Sequence, residues 1–323
     1  DALPISCWSN GFDSVVLAAM SQVRASAAGE VARRRVQCGP RVGSTGLIMF
    51  PQAILFDLDD TLFDHRRASS VALDAMHRSF AADLPQQEFA ARHAQLLELF
   101  HTRFLAGELT LDQARTARMQ ALFGSFEREI DAATAGQAAS VYRQQHQSNR
   151  HLVDGARALL EQLAGRSRLG IVTNNSTVEQ MEKLRALDIA SYFDAVVISE
   201  DVGVTKPDPE IFAIALQRLG ASPHEAVFIG DSWTNDIIGA RAVGMTAVWL
   251  DRGDQTPALE RLPGQKWPGR RSSAGVSPSG VSVITSLAPV ESAIDAIRTA
   301  FAYKTDNRTP GAEKHEQMET LAR

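Results

Sequence analysis

The chain has few cysteines and no long apolar run. Cys7 and Cys38 are its two cysteines, and both precede the first predicted strand, so the remaining sequence contains no thiol. This excludes thiol catalysis, a zinc–cysteine site and a disulfide from that part of the chain. The apolar cluster between Val15 and Met20 is too short to span a bilayer, so we expect no membrane partner.

Acidic residues also outnumber basic ones. The formal net charge is -5, which argues against a general nucleic-acid binder because affinity for phosphate backbones depends on clustered Lys and Arg. With 323 residues, 44% of them hydrophobic, the composition is that of a globular protein of one large or two smaller domains. We expect a cytoplasmic monomer or homodimer that binds a small molecule and no nucleic acid polymer.

Residues 1–48 differ from the rest of the chain. They contain scattered Gly, Ser and Ala, and their Arg residues outnumber their acidic residues. We expect a disordered N-terminal extension, with Met49 as the natural start. An Arg- and Ser-containing targeting peptide is the alternative.

The first strongly patterned segment is an apolar run that ends on three carboxylates. Residues 54–56, Ile-Leu-Phe, predict a short buried strand, because such runs are typical of the interior of parallel sheets. Asp57, Asp59 and Asp60 follow it directly. Ligands bind at the carboxyl ends of the strands in open α/β sheets, so the position of these acids is itself a functional signal.

A helical pattern follows the acids and continues for about 85 residues. Leu73, Met76 and Phe80 have the spacing of an amphipathic helix. Thr110 and Gln113 predict a capping box, and a fourth helix is predicted over residues 126–147. We predict a helical bundle with the aromatic and Met side chains in its core. Several histidines of this insert are expected to be solvated or at the bundle edge, and not to be ligands: His65, His77, His93 and His101.

From Leu152 onward helices and strands alternate, which is the pattern of parallel βαβ units. Residues 254–280 predict a long mobile loop, and residues 293–301 a closing helix. The predicted fold class is α/β, with a Rossmann-like, doubly wound parallel sheet and an inserted helical bundle. Residues 49–64 and 151–303 would form the core, residues 65–150 the cap, and residues 304–323 a flexible tail. The strands predicted after the first are residues 169–173, 195–198, 226–229, 246–250 and 281–285.

Four of the predicted strand ends carry polar residues of complementary kinds. Parallel strands place their carboxyl ends on one edge of the sheet, so these residues are expected to converge. The candidates are Asp57 and Asp59 after the first strand, Thr173 and Asn174 after the second, Lys206 after the third, and Asp231 and Asp236 after the fourth.

The acids in this set predict a cation site. Asp57, Asp231 and Asp236 would repel one another unless a cation lay between them, and oxygen ligands of this number suit Mg²⁺. A Mg²⁺ ion beside a lysine and hydroxyl and amide donors would form a pocket for a phosphate group.

Phosphate chemistry gives the other residues a role. Thr173 and the backbone N–H groups near Ser176 can hold phosphate oxygens, and Lys206 can neutralise the developing charge. Asp57 is the candidate nucleophile, because the metal and the lysine reduce the repulsion between two anions. Asp59 can protonate the leaving alcohol and then activate water.

These motifs resemble the four motifs of the haloacid dehalogenase (HAD) superfamily, in the same order and at fitting intervals over about residues 53–251. The resemblance implies a Rossmann-like core, a C1-type helical cap and phosphoaspartate chemistry with Mg²⁺. It assigns roles residue by residue. Asp57 would be nucleophile and metal ligand, Asp59 acid/base and a ligand through its backbone carbonyl, Thr173, Asn174 and Lys206 phosphate-binding residues, Asp231 a metal ligand, and Asp236 a ligand or a neighbour of one.

Dehalogenases of this superfamily lack the second aspartate of the first motif, so Asp59 favours a phosphatase acting on a small phosphate monoester, such as a nucleoside monophosphate or a sugar phosphate. Residues 199–207 and the Asn235-Asp236 pair look most like the pyrimidine 5'-nucleotidases of the YjjG type and related phosphatases. A phosphomutase and a non-enzymatic phospho-acceptor signalling domain are the alternatives. The helical insert can cover the site and exclude water, which favours an enzyme.

Overall fold

The computed structural model describes residues 50–253, 275–276 and 281–306. The predicted N-terminal extension, most of the predicted loop over residues 254–280 and the tail beyond Asp306 lie outside these ranges. Among the helices that the structure describes, none has both the length and the apolar composition needed to cross a membrane.

In the part of the chain that the structure describes, a seven-stranded sheet forms the centre of the fold. Its strands are β1 (Ala53–Phe56), β2 (Arg168–Thr173), β3 (Ala195–Ile198), β4 (Ala226–Gly230), β5 (Thr246–Leu250), β6 (Gly275–Val276) and β7 (Ser282–Ile284). Their order is β3-β2-β1-β4-β5-β7-β6, and every pair is parallel except β6 with β7. The predicted strands are confirmed. The loop prediction is wrong at β6, because a two-residue strand has no periodicity that a sequence pattern can show.

The helices surround this sheet or lie in the insert. They are α1 (His65–Phe80), α2 (Gln86–Leu105), α3 (Leu111–Gly124), α4 (Ala132–Ser148), α5 (Ala156–Leu163), α6 (Thr177–Ala186), α7 (Ser199–Val202), α8 (Pro209–Leu219), α9 (Gly239–Ala242) and α10 (Val290–Asp306). Short 3₁₀ helices span Ala190–Tyr192 and Pro223–Glu225, and a π-helical segment spans Trp233–Ile238. The predicted closing helix is confirmed but longer, and it overlaps the start of the predicted flexible tail. Val290, Ile294 and Ile297 extend its buried stripe.

Both faces of the sheet are covered. In β1, Ile54 and Phe56 belong to one hydrophobic cluster and Ala53 and Leu55 to the other, as expected where alternate side chains point to opposite faces. The first cluster includes residues of α5, α6 and α10, and the second includes residues of α8. This doubly wound packing fixes the strands and therefore the loops at their carboxyl ends.

The insert has a hydrophobic core of its own. Met76, Phe89, Met119 and Phe123 are fully or almost fully buried in a third cluster contributed by α1 to α4. The predicted capping box at α3 is confirmed, since the Gln113 N–H donates to Thr110 Oγ1 at 3.2 Å and the Thr110 N–H donates to Gln113 Oε1 at 2.9 Å.

The fourth helix of the insert begins later than predicted. It starts at Ala132 instead of residue 126, because the Asp131 side chain accepts from the Thr134 N–H at 2.7 Å and so caps the helix there. Glu127 has a φ of 56°, which is incompatible with a helix through this position.

The prediction that the insert histidines are solvated or at the bundle edge is wrong for His77 and His93. His77 and His93 are buried, and His65 and His101 are partly buried. The rings pack on aromatic neighbours in the bundle. The ring centroids of His77 and Phe89 are 5.1 Å apart, and those of His93 and Tyr142 are 5.0 Å apart. The helix faces that carry His77 and His93 point into the bundle, and the predicted helix periodicity did not identify these faces as buried.

The two connections between insert and sheet run side by side. The Asp64 N–H donates to His151 O at 2.9 Å, and the Val153 N–H donates to Leu62 O at 2.8 Å. Phe63 and Leu152 form an antiparallel bridge between them. The insert therefore leaves and re-enters the core next to the acids that follow β1.

Gly155 caps α5 in a conformation that only glycine adopts easily, with a φ of 87°. A Cβ at this position would lie 2.6 Å from Leu287 O. Gly165 has a similar φ of 80°, but nothing lies within 4 Å of a Cβ placed there.

We expect Gly155→Ala to destabilise the protein more than Gly165→Ala. The φ alone costs about 1–2 kcal/mol in either variant, and the contact with the backbone of Leu287 adds about 1–3 kcal/mol in the first. Urea unfolding of both variants measures the difference. Equal losses in the free energy of unfolding would contradict the close approach.

Candidate active site

The predicted site residues lie at the carboxyl edge of the sheet. Asp57 directly follows β1, and its N–H donates to Ile229 O at 2.9 Å, which continues the β1–β4 ladder into the loop. Thr173 ends β2, and Asp231 follows β4. Local strand pairing thus places these side chains on neighbouring strand ends.

Three carboxylates converge as predicted. Asp57, Asp231 and Asp236 each offer an oxygen within 4.8 Å of the others. Asp236 is fully buried, and its Oδ2 accepts from the Ser232 N–H at 2.9 Å. Gly230 makes room for it, since a Cβ there would collide with the Asp236 carboxyl group.

The electrostatics of this group match a cation site. Burial, reinforced by the charge of Asp236 against the opposing charge of Lys206, raises the pKa of Asp57 to about 7. Burial and the neighbouring Asp57 and Asp236 raise the pKa of Asp231 to about 9. Carboxylates that resist ionisation because they crowd one another are stabilised in their charged form by a divalent cation.

Lys206 lies between two of these acids. Its Nζ is 2.6 Å from Asp57 Oδ1 and 2.6 Å from Asp236 Oδ1. Burial opposes the charged form of this lysine, but Asp236 and Asp57 outweigh it and raise its pKa. Lys206 is therefore a fixed positive charge beside the candidate nucleophile.

Asn174 holds the segment that carries this lysine. Asn174 Oδ1 accepts from the Lys206 N–H at 2.8 Å, and Asn174 Nδ2 donates to Lys206 O at 2.9 Å. Its amide thus positions Lys206, whereas sequence reasoning expected it to bind substrate.

Thr173 is buried, and its Oγ1 accepts from Gln180 Nε2 at 2.7 Å, which leaves its hydroxyl hydrogen available to a phosphate oxygen. The backbone N–H groups at the start of α6 are not free to bind phosphate, contrary to the prediction from the sequence. The N–H groups of Asn175, Ser176 and Thr177 already donate to the side chains of Ser199, Asn175 and Glu200.

The Asp59 carboxylate is bound by a second lysine, Lys183, and is not part of the group formed by Asp57, Asp231 and Asp236. Lys183 Nζ is 2.6 Å from Asp59 Oδ1 and 2.8 Å from its Oδ2, and Gln180 Nε2 donates to Oδ2 at 3.1 Å. Burial disfavours the Asp59 carboxylate, but the charge of Lys183 prevails and lowers its pKa far below the ordinary range. Asp59 is therefore ionised here.

Sequence reasoning missed Gln180 and Lys183. A signal was available, because they lie four and seven residues after Ser176, the N-cap of α6, whose side chain accepts from the Glu179 N–H at 3.3 Å. This spacing places both on one face of the first turns of a helix that begins at the site.

The last acid of the first loop shapes the chain. Asp60 has a φ of 62°, and its Oδ1 accepts from the Arg66 N–H at 2.9 Å. Arg66 also reaches Asp231 Oδ2 at 3.5 Å. Trp233 packs on Trp249 with ring centroids 5.3 Å apart, so its ring has a structural contact in this loop.

Comparisons with known proteins agree with this geometry. Residues 51–244 match the family model of haloacid dehalogenase-like hydrolases. The chain is 30% identical over 213 residues to the HAD-hydrolase YfnB of Bacillus subtilis, covering 66% of this chain and 89% of that protein. A crystal structure of YfnB bound to magnesium matches with a TM-score of 0.56 and 29% identity, covering 64% of this chain and 92% of that one.

Two further relatives have named activities. The chain is 30% identical over 213 residues to glyceraldehyde 3-phosphate phosphatase of Pyrococcus furiosus, covering 62% of this chain and 81% of that protein. It is 38% identical over 98 residues to the pyrimidine 5'-nucleotidase YjjG of Escherichia coli, covering 30% of this chain and 44% of that protein.

The family match extends over more than half of the chain and includes every predicted motif from Asp57 to Asp236. The sheet order and the helical insert agree with the predicted fold class. The predictions of superfamily, fold class and hydrolase activity are thereby confirmed, and the chain belongs to the haloacid dehalogenase-like hydrolase family.

Proposed function

We propose that this hydrolase is a Mg²⁺-dependent phosphatase that cleaves a small phosphate monoester through an aspartyl-phosphate intermediate on Asp57. One observation carries the proposal: Lys206 Nζ lies 2.6 Å from both Asp57 and Asp236, and Asp231 completes a buried group of acids. A lysine beside crowded acids suits a ligand that brings a dianion and a divalent cation together.

The residues present fit Mg²⁺. Asp57, Asp231 and Asp236 offer oxygen ligands, and the Asp59 backbone carbonyl is the further ligand implied by the motif. Bound Mg²⁺ would neutralise charge on the phosphoryl oxygens and polarise the phosphorus for attack.

Asp57 carries the covalent chemistry. One of its carboxylate oxygens attacks phosphorus, the bond between phosphorus and the substrate alcohol breaks, and the leaving oxygen takes a proton from Asp59. Lys206 and the Thr173 hydroxyl hold the transferring oxygens. The products of this step are the free alcohol and an acyl phosphate on Asp57.

Water completes the cycle. It attacks phosphorus, its proton passes to the Asp59 carboxylate, and the bond between Asp57 and phosphorus breaks to release inorganic phosphate. Asp59 beside Lys183 is ionised, as this step requires. Before the first step, Asp59 takes a proton from the monoanion of the substrate, which leaves the bound phosphate group as a dianion. Asp59 then donates this proton to the leaving oxygen.

The substrate is a small phosphate monoester, with nucleoside monophosphates and sugar phosphates as the first candidates, and we retain the expectation of a cytoplasmic monomer or homodimer. A phosphomutase is the alternative activity, because it would use the same nucleophile. The hydrolase family does not favour the signalling-domain alternative.

The first prediction concerns the nucleophile. The native protein should release inorganic phosphate from a generic aryl phosphate in the presence of Mg²⁺, and Asp57→Asn should lower the rate by a factor on the order of 10³ or more. Asp295→Asn is the control, because this carboxylate is 71% exposed on α10 and pairs with Arg298. Undiminished release by the Asp57 variant would refute the mechanism, and isomer interconversion without net release would indicate a mutase.

The second prediction concerns metal binding and pH. Asp57 and Asp231 have raised pKa values in the metal-free fold, so protons on them stabilise it, and that stabilisation is lost as the pH rises through about 7 to 9. Mg²⁺ needs the ionised forms, so it should raise the melting temperature more at pH 8.5 than at pH 6.

Differential scanning fluorimetry with and without Mg²⁺ measures this shift. Mg²⁺ at 100 times its Kd adds about 2.7 kcal/mol. Asp231→Asn removes one ligand and should reduce the increase. An increase that is equal at both pH values would count against these acids as the metal site.

The third prediction concerns Lys183. Lys183→Gln removes the charge that lowers the Asp59 pKa, so that pKa should rise. As the pH is lowered, Asp59 would then be protonated at a higher pH than in the native protein. The fall in the rate of aspartyl-phosphate hydrolysis at acidic pH should therefore begin at a higher pH. Single-turnover kinetics across pH measures it, with Lys183→Arg as the charge-conserving control. An unchanged pH dependence would show that Lys183 does not act through Asp59.

A further inference from the structure

One buried cation in the insert lacks a counter-ion. Arg118, on α3, is 7% exposed, and its guanidinium lies 5.1 Å from the centre of the Tyr142 ring. Within the described residues it forms no ion pair, and its Nε has no hydrogen-bond partner. Burial lowers its pKa. Buried guanidinium groups are normally paired, because an isolated buried charge is costly.

The acid that pairs with the neighbouring Arg115 is already occupied. Glu179, in the first turn of α6, accepts from Arg115 at 2.7 Å and from Arg143 at 3.3 Å. Arg115 also contacts Asp112 at 3.1 Å. The acids that neutralise the neighbouring arginines therefore leave the charge of Arg118 unpaired.

Helix geometry directs Arg118 toward the active site. Arg115 and Arg118 are three residues apart on α3, and Glu179 and Lys183 are four residues apart on α6, so each pair shares a helix face. Arg115 contacts Glu179, and Lys183 contacts Asp59. Arg118 thus lies on the face of α3 that contacts α6. Lys183, on α6, contacts the candidate acid/base Asp59.

A row of aromatic rings connects Lys183, beside Asp59, with Arg118. Lys183 Nζ lies 5.2 Å from the centre of the Phe63 ring, and that ring is 5.6 Å from His146. His146 stacks 6.1 Å from Tyr142, on which Arg118 rests. Successive contacts among these rings therefore extend from Lys183, which contacts Asp59, to Arg118.

Unpaired histidine nitrogens accompany the arginine. The Nε2 atoms of His93 and His101 are buried without a hydrogen-bond partner in the described part of the chain. Burial lowers the pKa of His93 to about 3 and that of His101 to about 4, and the charge of Arg118 contributes to both shifts. A neutral imidazole can donate one N–H to an anion, and Arg118 supplies the positive charge of this group.

We propose that Arg118, with His93 packed on the same Tyr142 ring, binds an anionic group on the leaving alcohol of the substrate. The group is a carboxylate or a second phosphate, both of which match the planar fork of an arginine. This inference rests on the proposed phosphatase function and narrows its substrate class to phosphate monoesters that carry a second acidic group.

Matched substrates test the inference directly. Carboxyalkyl phosphates with two to four carbons are compared with alkyl phosphates of equal length, and alkanediol bisphosphates form a separate arm. The native protein should prefer one acidic series over the neutral one in kcat/KM by a factor on the order of ten to a hundred. The preferred arm identifies the acidic group as carboxylate or phosphate.

Variants then assign the preference to Arg118. Arg118→Gln should bring the acidic-to-neutral ratio close to one, and Arg118→Lys, which keeps the charge but loses the fork, should keep part of it. Arg128→Gln is the matched control, because Arg128 lies in the same insert but is 42% exposed and pairs with Asp83. It should leave the ratio unchanged.

The outcomes separate this inference from the proposed function. Equal kcat/KM for acidic and neutral substrates in the native protein, or a full preference in a folded Arg118→Gln variant, overturns the anion site while phosphatase activity stands. The comparison of acidic with neutral substrates in the native protein tests the anion site even if the Arg118→Gln variant does not fold. Absence of phosphate release from every substrate, or release that survives Asp57→Asn, overturns the phosphatase function itself.

Discussion

The carboxyl edge of the sheet depends on one buried lysine. Lys206 joins the loop after β1 to the loop after β4 by contacting Asp57 and Asp236 at 2.6 Å each. Two carboxylates at this depth would otherwise repel each other, and removing one member of a buried ion group costs about 3–5 kcal/mol. Asn174 fixes the backbone of Lys206 from the loop after β2. The neutralisation of these acids therefore allows the loops after β1 and β4 to bring their carboxylates together at this edge.

Two aspartates two residues apart acquire opposite properties from this arrangement. Asp57 shares Lys206 with Asp236, and its pKa is raised by burial, whereas Asp59 has Lys183 to itself and its pKa is lowered. Pairs of acids whose environments separate their pKa values are typical of sites that divide nucleophilic and acid–base work. The division arises from two lysines on different elements, one in the loop after β3 and one on α6.

Most of the fold and the centre of the site were predictable from local patterns. Buried strands give continuous apolar runs, and the motif residues follow those runs directly, so Asp57, Lys206 and Asp231 could be placed without a structure. The start of α4, the burial of the insert histidines and β6 were not predictable in the same way. They depend on which face another element covers, and a helix pattern of mixed polarity leaves that open.

The residues that sequence reasoning missed share one location, the face of α6 that meets the insert. Glu179 there binds arginines from α3 and α4, and Lys183, one turn later, binds Asp59. A group bound near Arg118 would therefore contact the same helix face that orients the acid/base. Recognition of the leaving alcohol by the insert and protonation of its oxygen by Asp59 become adjacent events, because α6 is the common support of both.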